Sequence, residues 1–175
     1  LSPTRSETVR LPDGRSLRIR PISPADVEPI AAGFDLLTED EVRRRYLHPV
    51  KALSLDYLRQ LTQPDRRRDF VLVAAEPLPA GKALVAAVAR LSRDNEQPNR
   101  AEFGILVSHF VSGQGLGRLL MQRLLDWASH RGVHEVYGDV LCENTLMLNL
   151  ACEMGFERVA TTDASGLVRV RRLLR

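Results

Sequence analysis

Three glycines stand at alternate positions in Ser112-Gly113-Gln114-Gly115-Leu116-Gly117, followed by Arg118 and by Leu119 to Ala128, where Leu, Met and Trp recur with helical spacing. Just before them, Phe103 to Val107 is a short apolar run rich in β-formers. The order is strand, glycine loop, helix start. The first turn of a helix leaves backbone N–H groups unpaired, and glycine lets a bulky anion approach them, so the loop is suited to cradling phosphate. Two familiar phosphate loops are excluded by spacing. A dinucleotide fingerprint beginning at Gly113 needs glycine where Arg118 stands, and one beginning at Gly115 needs it where Leu120 stands. The Gly-Lys-Ser/Thr of a Walker loop occurs nowhere. A glycine turn that only caps a helix is the remaining alternative.

The elements that would hold this loop follow from patterning. Leu17 to Ile22 reads as a strand, and Ser23-Pro24-Ala25-Asp26 supplies an N-cap, a first-turn proline and an acid for a helix reaching about Leu37. Thr38-Glu39-Asp40-Glu41 is a capping box for a second helix ending near Leu47, where His48-Pro49 stops it. Ser54 caps a third, through Leu61. Phe70 to Glu76 and Ala83 to Leu91 read as a hairpin across Pro77 to Gly81. The central strand, glycine loop and helix come next, and His134 to Leu141 is a strand parallel to the central one by the strand-helix-strand rule. Asn144 to Met154 is a short amphipathic helix stopped by Gly155. Phe156 to Thr161 and Leu167 to Leu174 close the chain as a hairpin around Asp163 to Gly166. The expectation is an α/β (α+β) domain over residues 1–175, with a mixed, largely antiparallel sheet of about six to seven strands, a parallel splayed central pair, and helices on both faces.

Composition narrows the class. The chain has 175 residues, 44% hydrophobic and 27% charged, as for one soluble globular domain. A net charge of +3 and arginine clusters at Arg43 to Arg45, Arg66 to Arg68 and Arg169 to Arg172 invite a nucleic-acid reading, but aromatics are only 5% and no binding motif accompanies them. The longest apolar run, Ala83 to Ala89, is too short to span a bilayer, and no secretory signal precedes Leu11. Cys142 and Cys152 lack metal-ligand spacing, so no metal is expected and a reducing cytoplasm is the expected compartment. Because the chain begins at Leu1 rather than Met, it is read as trimmed or as a fragment.

The glycine loop resembles the coenzyme A loop of the GCN5-related N-acetyltransferases, Gln/Arg-x-x-Gly-x-Gly/Ala after a central strand. Here the first position is Ser112, a departure, while Gly115 and Gly117 are in place. Gly138 to Asn144 and Gly155-Phe156 look like the family's second motif. The N-terminal half, Arg18 to Ile22, Asp26, Thr38 to Arg45, Leu58 to Leu61 and Phe70 to Ala74, is similar to the acetyltransferase domain of Pat-type bacterial protein-lysine acetyltransferases. The likeness runs from about Leu11 to Phe156.

That resemblance implies an enzyme using acetyl-coenzyme A, held by Leu106, Val107, Ser112, Gly113, Gln114, Gly115, Leu116, Gly117 and Arg118, with Asn144 facing the pantetheine arm. It implies Glu102, in Ala101-Glu102-Phe103, as general base. The residues support such a base independently. On a strand Glu102, Gly104 and Leu106 share a face, so the carboxylate stands beside a residue without a side chain, leaving a gap for an amine. A lysine amine is only about one part in two thousand neutral at pH 7, so a carboxylate base could contribute roughly 10² to 10⁴ in rate. A backbone N–H near Val107 would polarise the thioester carbonyl. The tyrosine that many relatives use to protonate the leaving thiolate is absent, its place taken by Ala151. Cys142 is read as a small core residue, His109 as a surface residue, Arg118 as a phosphate contact and Trp127 as core. The reading is an acetyl-CoA-dependent N-acetyltransferase acting on a protein lysine by direct attack in a ternary complex. A small-molecule amine acetyltransferase and a coenzyme A-binding sensor without turnover remain open beside it.

Overall fold

The computed structural model describes residues 5–48, 50–159 and 166–175. Its centre is an eight-stranded sheet ordered β1-β2-β3-β4-β5-β6-β8-β7. The strands are β1 (Glu7–Arg10), β2 (Ser16–Pro21), β3 (Asp69–Ala75), β4 (Val85–Arg93), β5 (Arg100–Val107), β6 (Glu135–Leu141), β7 (Glu157–Val159) and β8 (Leu167–Leu173). All neighbours are antiparallel except β5 and β6, which run parallel and pair only through Arg100 to Glu102 with Glu135 to Tyr137. Beyond Glu102 the two strands part. The splayed pair expected from sequence is therefore present, in a sheet one strand wider than expected.

The additional strand is β1. Its sequence, Glu-Thr-Val-Arg, has no apolar run, and its side chains alternate between part-buried and exposed at the sheet edge. Gly14, at φ +93°, closes the turn into β2. The expected hairpin strand over Ala83 to Leu91 is displaced to Val85–Arg93, because Glu76 accepts from the Leu84 N–H at 2.8 Å and prolongs the turn.

The helices α1 (Val27–Phe34), α2 (Glu39–Tyr46) and α3 (Leu55–Thr62) lie between β2 and β3 in the chain, and α4 (Leu116–His130) and α5 (Thr145–Glu153) flank β6. Strand alternation divides their work. Phe70, Leu72, Leu91, Phe103 and Ile105 point to α4, whose Leu120, Met121, Leu124 and Trp127 complete one core. Val71, on the other face, packs with Ile30, Leu58 and Leu61 of α1 and α3. Trp127 stacks on Phe70 with ring centroids 5.1 Å apart and planes 1° from parallel.

The helix caps form as sequence predicts. Thr38 and Glu41 make a reciprocal capping box, Ser54 accepts from the Tyr57 N–H, and Gly155 turns the chain at φ +87° after α5. α2 ends on Leu47 in the left-handed region, φ +68°. Pro49, expected to stop it, and Asp163, expected in the last hairpin, lie outside the described residues. The first helix is broken up relative to expectation. Pro24–Asp26 forms one 3-10 turn before α1, which ends at Phe34 instead of near Leu37. Asp26 is the cause. It is fully buried, accepts from the Ser23 N–H at 2.8 Å, and holds both terminal nitrogens of Arg20 in β2 at 2.8 Å. A buried bidentate pair loses about 3–5 kcal/mol when one partner is removed, because the other charge stays uncompensated.

Asp26→Ala is therefore expected to destabilise the fold by about 3–5 kcal/mol, measured as a fall in the urea midpoint at unchanged slope.

Candidate active site

β5 and β6 diverge where the chain needs an opening, and a cavity of about 550 Å³ fills the gap. Its floor is β5 from Glu102 to Val107. One wall is the turn before α4, with Ser112, Gly113, Gly115, Leu116, Gly117 and Arg118. The other is the end of β6 and start of α5, with Asp139 and Asn144, and α2 roofs it through Arg44 and Arg45. Of the residues expected to hold the coenzyme, all but Gln114 line this space.

The turn has the geometry an anion needs. Gly113 and Gly115 adopt φ +74° and +80°, a region that L side chains enter only at a cost of roughly 1–2 kcal/mol. Nothing lies within 4 Å of where a Cβ would stand on either. Gly115 is the N-cap of α4 and so offers no side chain to the first-turn N–H groups. The first helical bond runs from the Leu119 N–H to the Gly115 carbonyl at 3.2 Å, which leaves the N–H groups before it facing the opening. Gly117 is different. It sits inside the helix with Leu150 at 3.5 Å from a notional Cβ, an ordinary packing distance.

Four side chains are partly engaged within the fold. The Gln114 carboxamide turns away and accepts from the Asp13 N–H at 3.2 Å, tying the loop to the β1–β2 turn. Arg118 pairs with Glu153 of α5 at the surface. Asn144 caps α5, its oxygen accepting from the Met147 N–H at 3.3 Å. Its amide N–H donors remain free for a ligand among the described residues. Ser112, in the position where a longer polar side chain was expected, donates to the His109 carbonyl at 3.1 Å.

Glu102 lies opposite Ser92 of β4 and level with Tyr137 of β6. Its backbone is paired with a neighbouring strand on each side. Much of the side chain is open to water, yet enclosure by the groove pushes its carboxyl above the usual carboxylate range, and the nearby Asp139 carboxylate adds to the push. Arg45 and Arg169 oppose it more weakly. Asp139 is fixed by a bidentate pair with Arg169, at 2.9 and 3.1 Å. A carboxylate so destabilised binds a proton more readily.

The space beside Glu102 is not the gap that sequence suggests. Gly104 has no side chain, but the guanidinium of Arg45 occupies the space, its atoms 2.7 to 3.0 Å from where a Cβ would be. The α2 helix brings it there. That helix is anchored by Glu41, which accepts from the Thr38 N–H, from the His109 N–H at 2.9 Å and from the His109 ring at 2.6 Å. Burial would push the Glu41 carboxyl up, but these donors outweigh it and hold it below its ordinary value. The clamp is therefore complete above the ordinary glutamate pKa and weakens as pH falls through the depressed one. Neither contact carries a signal in the sequence, since each depends on how a helix 60 residues upstream docks on the strand.

Three further residues resolve simply. Cys142, expected in the core, is exposed just past the end of β6, where the chain leaves the sheet. Ala151 is fully buried on the inner face of α5, and Trp127 is 2% exposed. Among the described residues no cluster of His, Cys, Asp or Glu could hold a metal, and no helix is long and apolar enough to cross a membrane.

A family model described as the acetyltransferase (GNAT) domain matches residues 16–157. An acetyltransferase of Pseudomonas aeruginosa is 27% identical over 146 residues, covering 83% of this chain and 77% of its own. The GNAT domain of PAT from S. lividans superposes with a TM-score of 0.84 over 97% of both chains, at 24% identity. A cAMP-binding acyltransferase from Mycobacterium smegmatis is 26% identical with a TM-score of 0.63, and this chain, 95% covered, spans 47% of its length. The chain thus belongs to the GCN5-related N-acetyltransferase family, whose chemistry is acetyl transfer from acetyl-coenzyme A.

Proposed function

We propose that this chain transfers the acetyl group of acetyl-coenzyme A to a primary amine, the side chain of a protein lysine, by direct attack within a ternary complex. One observation carries the reading: a single continuous cavity joins the unpaired first-turn amides of α4 to the Glu102 carboxylate. An anion-binding turn at one end and a raised-pKa base at the other suit a long phosphorylated thioester and an amine meeting between them.

The residues divide the task. Backbone N–H groups from Gly115 to Arg118 grip the diphosphate, with Gly113 and Gly115 keeping the approach open. Arg118 is free to exchange Glu153 for a coenzyme phosphate, because an exposed ion pair contributes little. The edges of β5 and β6 beyond Glu102 lack each other as partners, so they offer hydrogen bonds to the amides of the pantetheine arm. Asn144 adds an amide N–H there. A β5 N–H near Val107 polarises the thioester carbonyl.

Glu102 removes a proton from the incoming ammonium, directly or through water, and the neutral amine attacks the carbonyl carbon. Its raised pKa narrows the gap to the lysine pKa and eases that transfer. The C–N bond forms as the C–S bond breaks, the sulfur leaves as thiolate, and the second proton of the attacking nitrogen passes to water as the amide forms. The cavity face of α5 contributes Leu146, Met147 and Leu150, none of which can donate a proton, and Ala151 is buried. The thiolate leaves unprotonated and takes its proton from water, as a thiol pKa near 8.5 allows. The small-amine and sensor readings differ from this one in acceptor and in turnover.

Thiol release from acetyl-coenzyme A in the presence of lysine peptides is the direct assay, and binding without release on any amine would favour a sensor. Glu102→Gln should lower kcat by about 10² or more while coenzyme affinity by calorimetry stays within twofold; unchanged turnover would remove the base assignment. In the wild type kcat/KM should rise with pH through a pKa above the ordinary glutamate value, and this limb should vanish in Glu102→Gln. Because the fold raises the Glu102 pKa, the charged carboxylate weakens the fold above that pKa, so the same variant should be at least as stable as the wild type at neutral pH. Gly115→Glu, which adds a strained, negatively charged side chain at φ +80°, should abolish coenzyme binding with the circular dichroism retained.

A further inference from the structure

A second, smaller cavity of about 160 Å³ adjoins the first and shares Glu102 with it. Its walls are polar: Arg45 and Tyr46 of α2, Tyr57 of α3, and Arg90 and Ser92 of β4. The register explains their meeting. Ser92 stands directly opposite Glu102 and Arg90 opposite Gly104, over which the Arg45 guanidinium lies. Side chains directly opposite on antiparallel strands have Cβ atoms about 5 Å apart, so this pocket begins one residue's width from the base.

The pocket is rich in donors that have no acceptor. Arg90 Nε and Ser92 Oγ are buried without a hydrogen-bond partner. The other end of Arg90 reaches Asp69 only at 3.6 Å. Arg45, part-buried, makes no ion pair among the described residues and rests on the ring of Tyr46 at 5.1 Å. The Tyr57 and Tyr46 hydroxyls are 3.4 Å apart, and since one proton suffices for the bond between them, the other is left to reach a further acceptor. Buried donors without partners are rare and mark a missing acceptor. Among the lining residues only Glu102 is a carboxylate, and it lies outside ion-pair distance of either guanidinium. Asp69, one strand farther out and directly opposite Ser92, has one carboxylate oxygen buried without a partner, but it approaches Arg90 only at 3.6 Å, beyond hydrogen-bond distance, and does not line the space.

Resting on the acetyl-transfer reading above, we propose that this pocket seats a carboxylate carried close to the acceptor amine, so that the lysine presented to Glu102 is one flanked by an acidic residue. Arg45 and Arg90 supply the charge, and Ser92 and the pair of Tyr46 and Tyr57 supply neutral donors. The guanidinium over Gly104 thus reads the substrate from the space where sequence suggested only a gap. An ammonium group alone would find two cations beside its base. A neighbouring carboxylate removes that repulsion and satisfies the orphaned donors.

The test uses short capped peptides with one lysine, flanked by glutamate, glutamine or a second lysine. Two readouts are taken: calorimetric binding in the presence of coenzyme A, and kcat/KM by thiol release. The glutamate peptide should bind about tenfold or more tightly than the glutamine peptide, with the same ratio in kcat/KM. That ratio should collapse towards one in Arg45→Gln and in Arg90→Gln. It should survive partly in Arg45→Lys, which keeps charge without the fork, and wholly in Arg66→Gln, which removes an exposed arginine away from the pocket. Equal affinities in the wild type, meaning a pocket that holds only water, would overturn the proposal. So would a glutamate preference that persists in both glutamine variants, since the attraction would then be diffuse. Acetylation of β-alanine or ε-aminocaproate in place of the peptides, with the same dependence on Arg45, would keep the carboxylate seat and overturn the protein-lysine reading. A calorimetric preference without thiol release on any amine would keep the seat and overturn acetyl transfer.

Discussion

The parallel ladder between β5 and β6 closes after three residues, and the cavity that holds the candidate coenzyme site lies in the opening that follows. A continuous ladder would pair the backbone of both strands and leave no groove. Divergence exposes two strand edges, aims the first turn of α4 into the space between them, and leaves Glu102 as the last fully paired residue before the gap. The parting is supported from beneath. Phe103 packs edge-on to Phe156, and the Phe103 ring lies where a Cβ on Gly138 would stand, as near as 2.5 Å. The absence of a side chain at Gly138 lets one aromatic ring cross under the seam, where it holds the two halves of the sheet together while their edges stay apart.

The helix α2 is the other organising element, and it acts from above. Three of its residues reach different parts of the groove: Glu41 the turn before the glycine loop, Arg43 the Glu143 carboxylate beside α5, and Arg45 the floor at Gly104. These contacts are unequal. The Glu41 carboxylate is 8% exposed and accepts three donors, so its loss would leave part-buried N–H groups without their acceptor. The Arg43 pair is open to water on both sides and contributes little to stability. Glu41 thus sets the position of the helix, and the arginines are free to meet ligands.

How much of this was legible in the sequence depends on how local each signal was. The capping box at Thr38, the N-cap at Ser23, the glycine turn and most of the strand runs are written in residues a few positions apart, and they form close to where expected. The strand β1 escaped because its alternation is polar, as suits an edge, and a four-residue polar strand has no period that stands out from loop. The glycine-loop side of the cavity was readable from the glycine spacing, apart from Gln114, whose side chain answers to the distant Asp13. Arg45 over Gly104 and Glu41 on His109 were not readable, since they follow from the docking of α2 across the sheet. The face shared by Glu102 and Gly104 was correctly inferred; what fills it was decided by a residue nearly 60 positions earlier.

Trp127 is the only tryptophan in the chain. It lies near the far end of α4 from the glycine turn, about 16 Å along the helix axis at 1.5 Å per residue. It is stacked on Phe70 and flanked by the guanidinium groups of Arg93 and Arg131 at 5.7 and 5.6 Å from its ring. Its fluorescence therefore reports whether α4 is seated on the sheet, from a place remote from the groove, and gives the molecule an intrinsic optical gauge of folding.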